Sequence, residues 1–135
     1  LVDDLWKFDG SDWKQLRDIA NNDSDEDYDD DYAITRAGTV SFVIDGRGYI
    51  ATGTRSGVTS DYWVYDPEED LWYGDSDDDY TPMTNVHNVS SGGSSRSYAV
   101  SFSTGKRGFV LSGSSGTSYF DDVYELLPYE QEDVD

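Results

Sequence analysis

The residues best suited to chemistry in this sequence are carboxylates, and many of them are crowded into two short runs. These runs are "DSDEDYDDDY" (residues 23–32) and "DSDDDY" (residues 75–80). Closely spaced carboxylate oxygens are the ligands that Ca²⁺ prefers. The candidate metal ligands are Asp23, Asp25, Asp27, Asp77 and Asp79. The alternative is two solvated acidic loops that bind no ion, because charge runs usually face water.

The first run opens with the Asp-x-Asp-x-Asp spacing of an EF-hand loop but does not continue as one. Tyr28 stands at the sixth position, where a glycine makes the turn, and Ile34 stands at the twelfth, where a glutamate binds the ion. The sequence therefore excludes an EF-hand and leaves a looser Ca²⁺ site open. We expect no other cofactor.

Groups for nucleophilic or acid–base catalysis are scarce. The chain has one histidine, His87, and no cysteine. His87 lies in "TNVHNVSSGGSS", which is typical of a loop, and no nearby residue would orient it as a catalytic base. The paired carboxylates lie mostly in the acidic runs, where solvent keeps them ionised and unsuited to acid catalysis. We therefore expect a protein that is not an enzyme.

The charge balance narrows the possible partners. The chain carries 29 acidic and 9 basic residues, a net charge of -20, so its surface repels nucleic acid and anionic membranes. No apolar run approaches the roughly 20 residues that span a bilayer. Among the few cations, Arg36 and Arg96 each precede a strand-like run. They could pair with acids of a neighbouring strand, or they could bind an anionic ligand.

The two arginines open a sequence repeat with a period of 60 residues. "RAGTVSFVIDGRGYIATG" (residues 36–53) returns as "RSYAVSFSTGKRGFVLSG" (residues 96–113). A second motif, "DLWKFD" (residues 4–9), returns as "DYWVYD" (residues 61–66) and more weakly as "DVYELL" (residues 122–127). A long fixed period is typical of units that stack on a neighbour to bury their apolar faces.

Each full unit has the pattern of four antiparallel strands. The predicted strands of the complete unit are Gly38–Ile44, Tyr49–Gly53, Asp61–Asp66 and Leu71–Asp75. Asp45-Gly46 supports a tight hairpin turn between the first two, and Pro67 suits the turn before the fourth. Repeated four-stranded meanders predict an all-β fold, a β-propeller of which this chain supplies roughly two to two and a half blades.

These residues resemble a Kelch-type β-propeller, and in wording they are most similar to Kelch-repeat proteins of Bacteroidetes surfaces and periplasm. The resemblance covers nearly the whole chain apart from the acidic runs. It departs where Thr52 and Ser112 stand in place of the first glycine of a pair, and where Tyr124 replaces a tryptophan. Structural roles are expected for Phe42, Phe102, Gly48, Gly108, Gly53, Gly113, Trp63 and Trp72. We expect the repeated aromatic rings, including Trp6 and Trp13, to be buried within or between blades.

The repeat divides the chain into five segments. Residues 1–20 form strands three and four of a first blade, 34–75 a complete blade and 96–128 strands one to three of another, while 21–33 and 75–95 are inter-blade loops. A propeller needs about 4–8 blades, so we expect the remaining blades to come from a longer chain or from further copies. In a ring of copies, Leu5–Phe8 would pair with Gly108–Leu111 of the next copy, a place for which Asp122–Leu127 competes.

The resemblance implies a non-catalytic binding or scaffold module for a protein or glycan ligand. It also implies an extracellular or periplasmic location, with the bacterial cell surface included. One alternative is a sugar-isomerising enzyme similar to the Kelch-type sialic-acid mutarotases, which would need converging His, Arg and Glu side chains. Another is a Ca²⁺-stabilised structural module. A Kelch-type radical-copper oxidase is excluded because the chain has no cysteine and one histidine.

Overall fold

The computed structural model describes residues 2–16, 18–19, 34–74 and 95–126. All regular elements in these residues are β-strands, which confirms the predicted all-β class. They form three antiparallel sheets of two, four and three strands. The chain divides into two compact units, Leu1–Thr35 and Arg36–Asp135. None of the described residues belongs to a helix long and apolar enough to cross a membrane.

The described residues of the first unit form one hairpin, β1 (Trp6–Phe8) and β2 (Trp13–Gln15). Its turn is closed by Asp9, whose carboxylate accepts hydrogen bonds from the backbone N–H groups of Ser11 and Asp12. The rings of Phe8 and Trp13 pack across the two strands, with 5.0 Å between their centroids. An exposed ring pair on a short hairpin leaves this sheet with little buried surface of its own.

The second unit begins with a four-stranded meander, which we call the central sheet. Its strands are β3 (Val40–Ile44), β4 (Arg47–Thr54), β5 (Val58–Asp66) and β6 (Leu71–Gly74), paired in chain order. Asp45 and Gly46 turn between β3 and β4 at φ 50° and 79°, as the Asp-Gly pair predicts. β5 starts at Val58, earlier than the predicted Asp61, because its first residues pair with Gly53 and Thr54 beyond an irregularity in β4.

The motifs "DLWKFD" (residues 4–9) and "DYWVYD" (residues 61–66), which are similar in sequence, also make similar contacts in the structure. Tyr65 of β5 faces Trp72 of β6 with ring centroids 5.1 Å apart, which repeats the Phe8–Trp13 pair. Asp66 accepts the backbone N–H of Glu68, as Asp9 accepts that of Ser11. The first hairpin therefore corresponds to the last two strands of the central sheet.

The third sheet, which we call the C-terminal sheet, contains β7 (Val100–Ser103), β8 (Gly108–Leu111) and β9 (Val123–Leu126). β9 pairs with β8 along its whole length, from Leu111 opposite Val123 to Gly108 opposite Leu126. The expectation that Leu5–Phe8 of another copy could pair with Gly108–Leu111 is therefore wrong. The chain's own third strand already takes those backbone hydrogen bonds.

The apolar core lies between the central and C-terminal sheets. It is built mainly from one face of the central sheet, which we call the inner face: Val40, Phe42, Ile44, Tyr49, Ala51, Tyr62 and Val64. The face of the C-terminal sheet that lies against the inner face supplies Val110 and Leu126. Phe42 lies directly on Gly108, where any added Cβ atom would come within 2.4 Å of the Phe42 ring. Gly108 is therefore required so that the two sheets can approach each other.

Burial of the repeated aromatic residues differs from the prediction at three positions. Phe42, Trp63 and Trp72 are buried as expected. Phe102 is 51% exposed, and Trp6 and Trp13 are exposed as well. The expectation of burial at these three is wrong for this chain because no sheet among the described residues covers them.

Phe42 and Phe102 offer a matched test of this core, since both occupy the same place in the repeat. We expect Phe42→Ala to lower the free energy of unfolding by about 3–5 kcal/mol, because it opens a cavity between two sheets. Phe102→Ala should cost about 1 kcal/mol, because roughly half of its ring area is in water. Urea denaturation at low protein concentration measures both. Equal losses would contradict the core placement.

Candidate functional site

Arg36 and Arg96 occupy equivalent places before the first strands of the central and C-terminal sheets. The Arg36 guanidinium donates two hydrogen bonds to Asp61, at 2.7 and 2.9 Å, and one to the Thr52 carbonyl at 3.0 Å. Its side chain is 1% exposed. Such a two-pronged contact between guanidinium and carboxylate is the strongest geometry available to an ion pair.

Arg96 repeats the arrangement in the C-terminal sheet. It donates to both carboxylate oxygens of Asp122 and, at 2.8 Å, to the Ser112 carbonyl. Its guanidinium carbon also lies 4.5 Å from the centroid of the Phe120 ring and 4.9 Å from that of Tyr124. Each arginine thus binds an aspartate in or next to the third strand of its sheet and a carbonyl at the end of the second strand. Pairing with acids of a neighbouring strand is one of the two roles expected from the sequence.

The backbone held by each arginine is unusual. Thr52 and Ser112 have φ of 61° and 57°, a region that β-branched and most other residues avoid. Each is followed by a glycine at positive φ, and a Cβ on Gly53 or Gly113 would lie 2.9 Å from a backbone carbonyl oxygen. The two positions that carry a glycine pair in the resembled family therefore both need positive φ here.

The ion pairs lower the pKa of their acids. Burial opposes ionisation of Asp61, but the hydrogen bonds from Arg36 and Thr59 outweigh it and hold the pKa below its usual value. The hydrogen bond from Arg96 is the main reason that the pKa of Asp122 is lowered. Both carboxylates are therefore fixed as anions at neutral pH, and neither is suited to donate a proton.

The other predicted site residues divide between structural places and residues that are not described. Gly48 lies in β4, and Trp63 and Trp72 are buried in β5 and β6. His87 and the candidate metal ligands Asp23, Asp25, Asp27, Asp77 and Asp79 lie outside the described residues. Within the described ranges, no group of three or more His, Asp and Glu side chains could hold a metal ion.

The most conspicuous exposed feature is the outer face of the C-terminal sheet, which we call the open face. It carries Val100 and Phe102 of β7, Phe109 and Leu111 of β8, and Val123 of β9. Val100 is 61% and Val123 is 60% exposed. The rings of Phe102 and Phe109 stack at 4.6 Å. Several apolar side chains side by side in water are typical of surfaces that contact other molecules.

A cleft of about 420 Å³ adjoins the open face where β7 begins and β8 ends. It is lined by Tyr98, Ser112, Gly113, Ser114, Tyr119 and Phe120. Tyr98 and Tyr119 are among the most exposed aromatic residues of the chain. The sequence analysis did not identify this cleft, because its walls come from turns after β8 whose path no repeat or spacing predicts.

The open face and the cleft offer different chemical groups. The face supplies apolar area, and the cleft supplies tyrosine rings and serine hydroxyls. The face also carries Arg107, whose guanidinium carbon lies 5.1 Å from the centroid of the Phe109 ring and which pairs with Glu125. The Arg96 guanidinium is buried against Asp122 and two rings. The prediction that Arg36 and Arg96 bind a ligand remains a prediction, while their observed contacts are with the chain itself.

The Arg36–Asp61 pair predicts a specific acid response. Because the pKa of Asp61 is lowered by folding, its contribution to stability is full above about pH 4 and is lost as the pH falls through the lowered value. We expect Asp61→Asn to destabilise the chain by about 2–3 kcal/mol at pH 7, since it leaves Arg36 buried without a counter-charge. The difference should shrink towards pH 2. Thermal melts measure it, with Asp121→Asn at an exposed site as control. A difference independent of pH would contradict the assignment.

The strained backbone at Thr52 predicts a stabilising substitution. Its hydroxyl is buried and has no hydrogen-bond partner among the described residues, so substitution by Gly breaks no hydrogen bond there and relieves the positive φ. We expect Thr52→Gly to raise the free energy of unfolding by about 1 kcal/mol. Ala51→Gly, one residue earlier, should lower it by a similar amount. Urea denaturation compares the two, and destabilisation by both would show that Thr52 is not strained.

Comparison with known proteins adds no assignment to this geometry. No protein-family model matches the chain, and no curated protein matches it.

Proposed function

We propose that this chain is a non-catalytic binding or scaffold module whose ligand is a protein. The observation that carries the proposal is the open face, where Val100, Phe102 and Val123 stand exposed on one flat sheet. In a chain with a net charge of -20, such a cluster keeps apolar area in water at a cost in free energy. A protein partner would remove that area from water.

We further propose that the sheets are blades of a Kelch-type β-propeller. The four-stranded central meander, the equivalent rings of Phe8–Trp13 and Tyr65–Trp72, and the repeated arginine contacts all support this assignment. The proposed location outside the cytoplasm of a bacterium rests on the resemblance of the sequence to surface and periplasmic Kelch-repeat proteins.

A glycan is the second candidate ligand, favoured by the cleft. Tyr98 and Tyr119 could stack on sugar rings, and the Ser112 and Ser114 hydroxyls could bond to sugar hydroxyls. The open face favours a protein instead, because aliphatic Val100 and Val123 offer no hydrogen bonds to replace those that a sugar makes with water. A sugar-isomerising enzyme would need acids and bases converging on one pocket, whereas Arg36 and Arg96 are each committed to an aspartate.

Selection of peptides tests the proposed function. A phage-displayed dodecapeptide library panned on the immobilised chain should yield apolar, β-branched and aromatic sequences. Phe102→Asp should weaken the selected peptides by at least about tenfold in fluorescence anisotropy, because it places a charge in the centre of the face. Val2→Asp, which adds the same charge at an exposed apolar residue of the first unit, should leave binding unchanged.

Two outcomes would count against a protein ligand at this face. One is peptide binding that Phe102→Asp does not weaken. The other is saturable calorimetric binding of cellohexaose or chitohexaose that is lost in Tyr98→Ala, which would assign the surface to a glycan.

A further inference from the structure

The contact between the central and C-terminal sheets shows how one repeat covers the next. The inner face of the central sheet is covered by the side of the C-terminal sheet that bears Ser101, Gly108 and Val110. Phe42 enters the space above Gly108, which lacks a side chain. Within this chain, then, an apolar inner face is matched by a face with a glycine at the point of closest approach.

Polar contacts set the register of that joint. The Ser101 hydroxyl donates to the Ser41 carbonyl at 2.8 Å, and Ser103 makes the same contact with the Val43 carbonyl. The Asp45 N–H donates to the Gly105 carbonyl at 2.9 Å. Because these bonds use specific carbonyls at the edge of β3, the sheets meet in one alignment.

A second group of bonds extends the joint beyond the strands. The Gly53 N–H donates to the Arg96 carbonyl at 2.7 Å, and the Arg96 N–H donates to the Thr59 carbonyl at 3.1 Å. The Tyr98 N–H donates to the Gly38 carbonyl at 2.9 Å. The segment from Arg96 to Tyr98 therefore lies against the end of β4, the start of β5 and the residues before β3 of the central sheet.

The C-terminal sheet presents a similar inner face a second time, with Glu125 in the place of Val64, and no other sheet of the described residues covers it. Val100 and Phe102 stand where Val40 and Phe42 stand, and the Phe102–Phe109 stack repeats the Phe42–Tyr49 stack. The cleft beside it corresponds to the place that Arg96–Tyr98 fills on the central sheet. Gly113, the equivalent of Gly53, lies in its wall, and the described residues provide no acceptor for its N–H.

The central sheet, in turn, presents a second copy of the covering face. Ser41 and Gly48 stand where Ser101 and Gly108 stand in the joint. Ser41 is exposed, Val43 beside it is 53% exposed, and Gly48 is half-buried. Among the described residues, a Cβ on Gly48 would meet nothing closer than the Tyr65 Cβ at 3.7 Å, whereas one on Gly108 would collide with the Phe42 ring.

We propose that the open face and its cleft bind the covering face of the central sheet in a second copy of this chain, head to tail. The contacts between copies repeat those between the central and C-terminal sheets of one chain, with every residue replaced by its equivalent 60 positions away. Phe102 lies over Gly48 of the next copy, and the next copy's Ser41 hydroxyl donates to the Ser101 carbonyl. The Gly113 N–H donates to the next copy's Arg36 carbonyl inside the cleft. This inference identifies the protein ligand of the proposed function and rests on it.

Several sequence differences make the contact between copies weaker than the internal joint. On the open face, Glu125 stands at the place of Val64. Val43 stands at the place of Ser103 and brings no hydroxyl, and Gly46 stands at the place of Lys106, which pairs with Asp45 across the internal joint. Each copy also carries a net charge of -20. Repulsion between copies falls as salt shortens the Debye length from about 10 Å at 0.1 M, so added NaCl should promote association.

Because the two surfaces are different, each variant of one surface keeps the other intact. Phe102→Asp disables the open face and leaves the covering face free to bind. Gly48→Leu fills the space into which Phe102 enters and leaves the open face free. A head-to-tail contact therefore predicts that two variants, each unable to associate alone, form one joint when mixed.

Sedimentation velocity with the full chain tests this proposal, from about 1 μM to about 300 μM protein in low and high NaCl. The wild type should grow beyond its 15.1 kDa mass with concentration, more so in high salt. Phe102→Asp and Gly48→Leu should each stay monomeric. Their equimolar mixture should give a species of twice the chain mass and nothing larger. Val2→Asp should associate as the wild type does.

Folding of each variant is checked by its circular dichroism and thermal melt, and Val43→Asp replaces Gly48→Leu if the latter does not fold. A wild type that stays monomeric throughout would overturn the proposal, as would a mixture of variants that stays monomeric. If selected peptides bind at Phe102 while the chain remains monomeric, the proposed function stands and the second copy is not the ligand. If Phe102→Asp also leaves peptide binding unchanged, both the proposed function and the proposed contact between copies are wrong.

Discussion

The constraint on which this structure depends is that a β-sheet with an apolar face must be covered by another layer. The central sheet meets it within the chain, because the C-terminal sheet lays a glycine-bearing face on Val40, Phe42 and their neighbours. The C-terminal sheet carries the same kind of inner face, and no other sheet among the described residues covers it. Its uncovered aromatic and aliphatic side chains follow directly from a repeat in which each unit covers the one before it.

Arg96 contacts both its own C-terminal sheet and the central sheet before it. Its side chain holds Asp122 and the Ser112 carbonyl, which fixes the strained turn after β8. Its backbone bonds to Gly53 and Thr59, which ties the same residue to the preceding sheet. One buried cation thus sets the shape of its own sheet and the position of that sheet on its neighbour. This explains why the repeat begins at an arginine although the chain has few basic residues.

The sequence was sufficient for features that depend on local pattern. The 60-residue period predicted the strand order and the Asp45-Gly46 turn, and the shared aspartate of the "DYWVYD" and "DVYELL" motifs could have identified the arginine partners. It was insufficient wherever burial depends on a second layer. Phe42 and Phe102 have the same local sequence, yet only Phe42 meets a covering sheet. Neither positive φ at Thr52 nor the cleft walls follow from residue type, since both depend on long-range contacts.

The backbone hydrogen bonds already made within the C-terminal sheet limit where a partner can bind. β9 takes the backbone hydrogen bonds of β8, so a foreign strand cannot enter there, and the open face offers a partner side chains rather than backbone groups. Face-to-face contact buries apolar area without needing a matched strand length, and a glycine opposite a phenylalanine provides the fit. The two equivalent glycines differ in their neighbours: Gly108 lies under Phe42, whereas among the described residues a Cβ on Gly48 would meet nothing closer than Tyr65. The partner that we propose would bring this glycine-bearing face of a second copy onto the Phe102 ring.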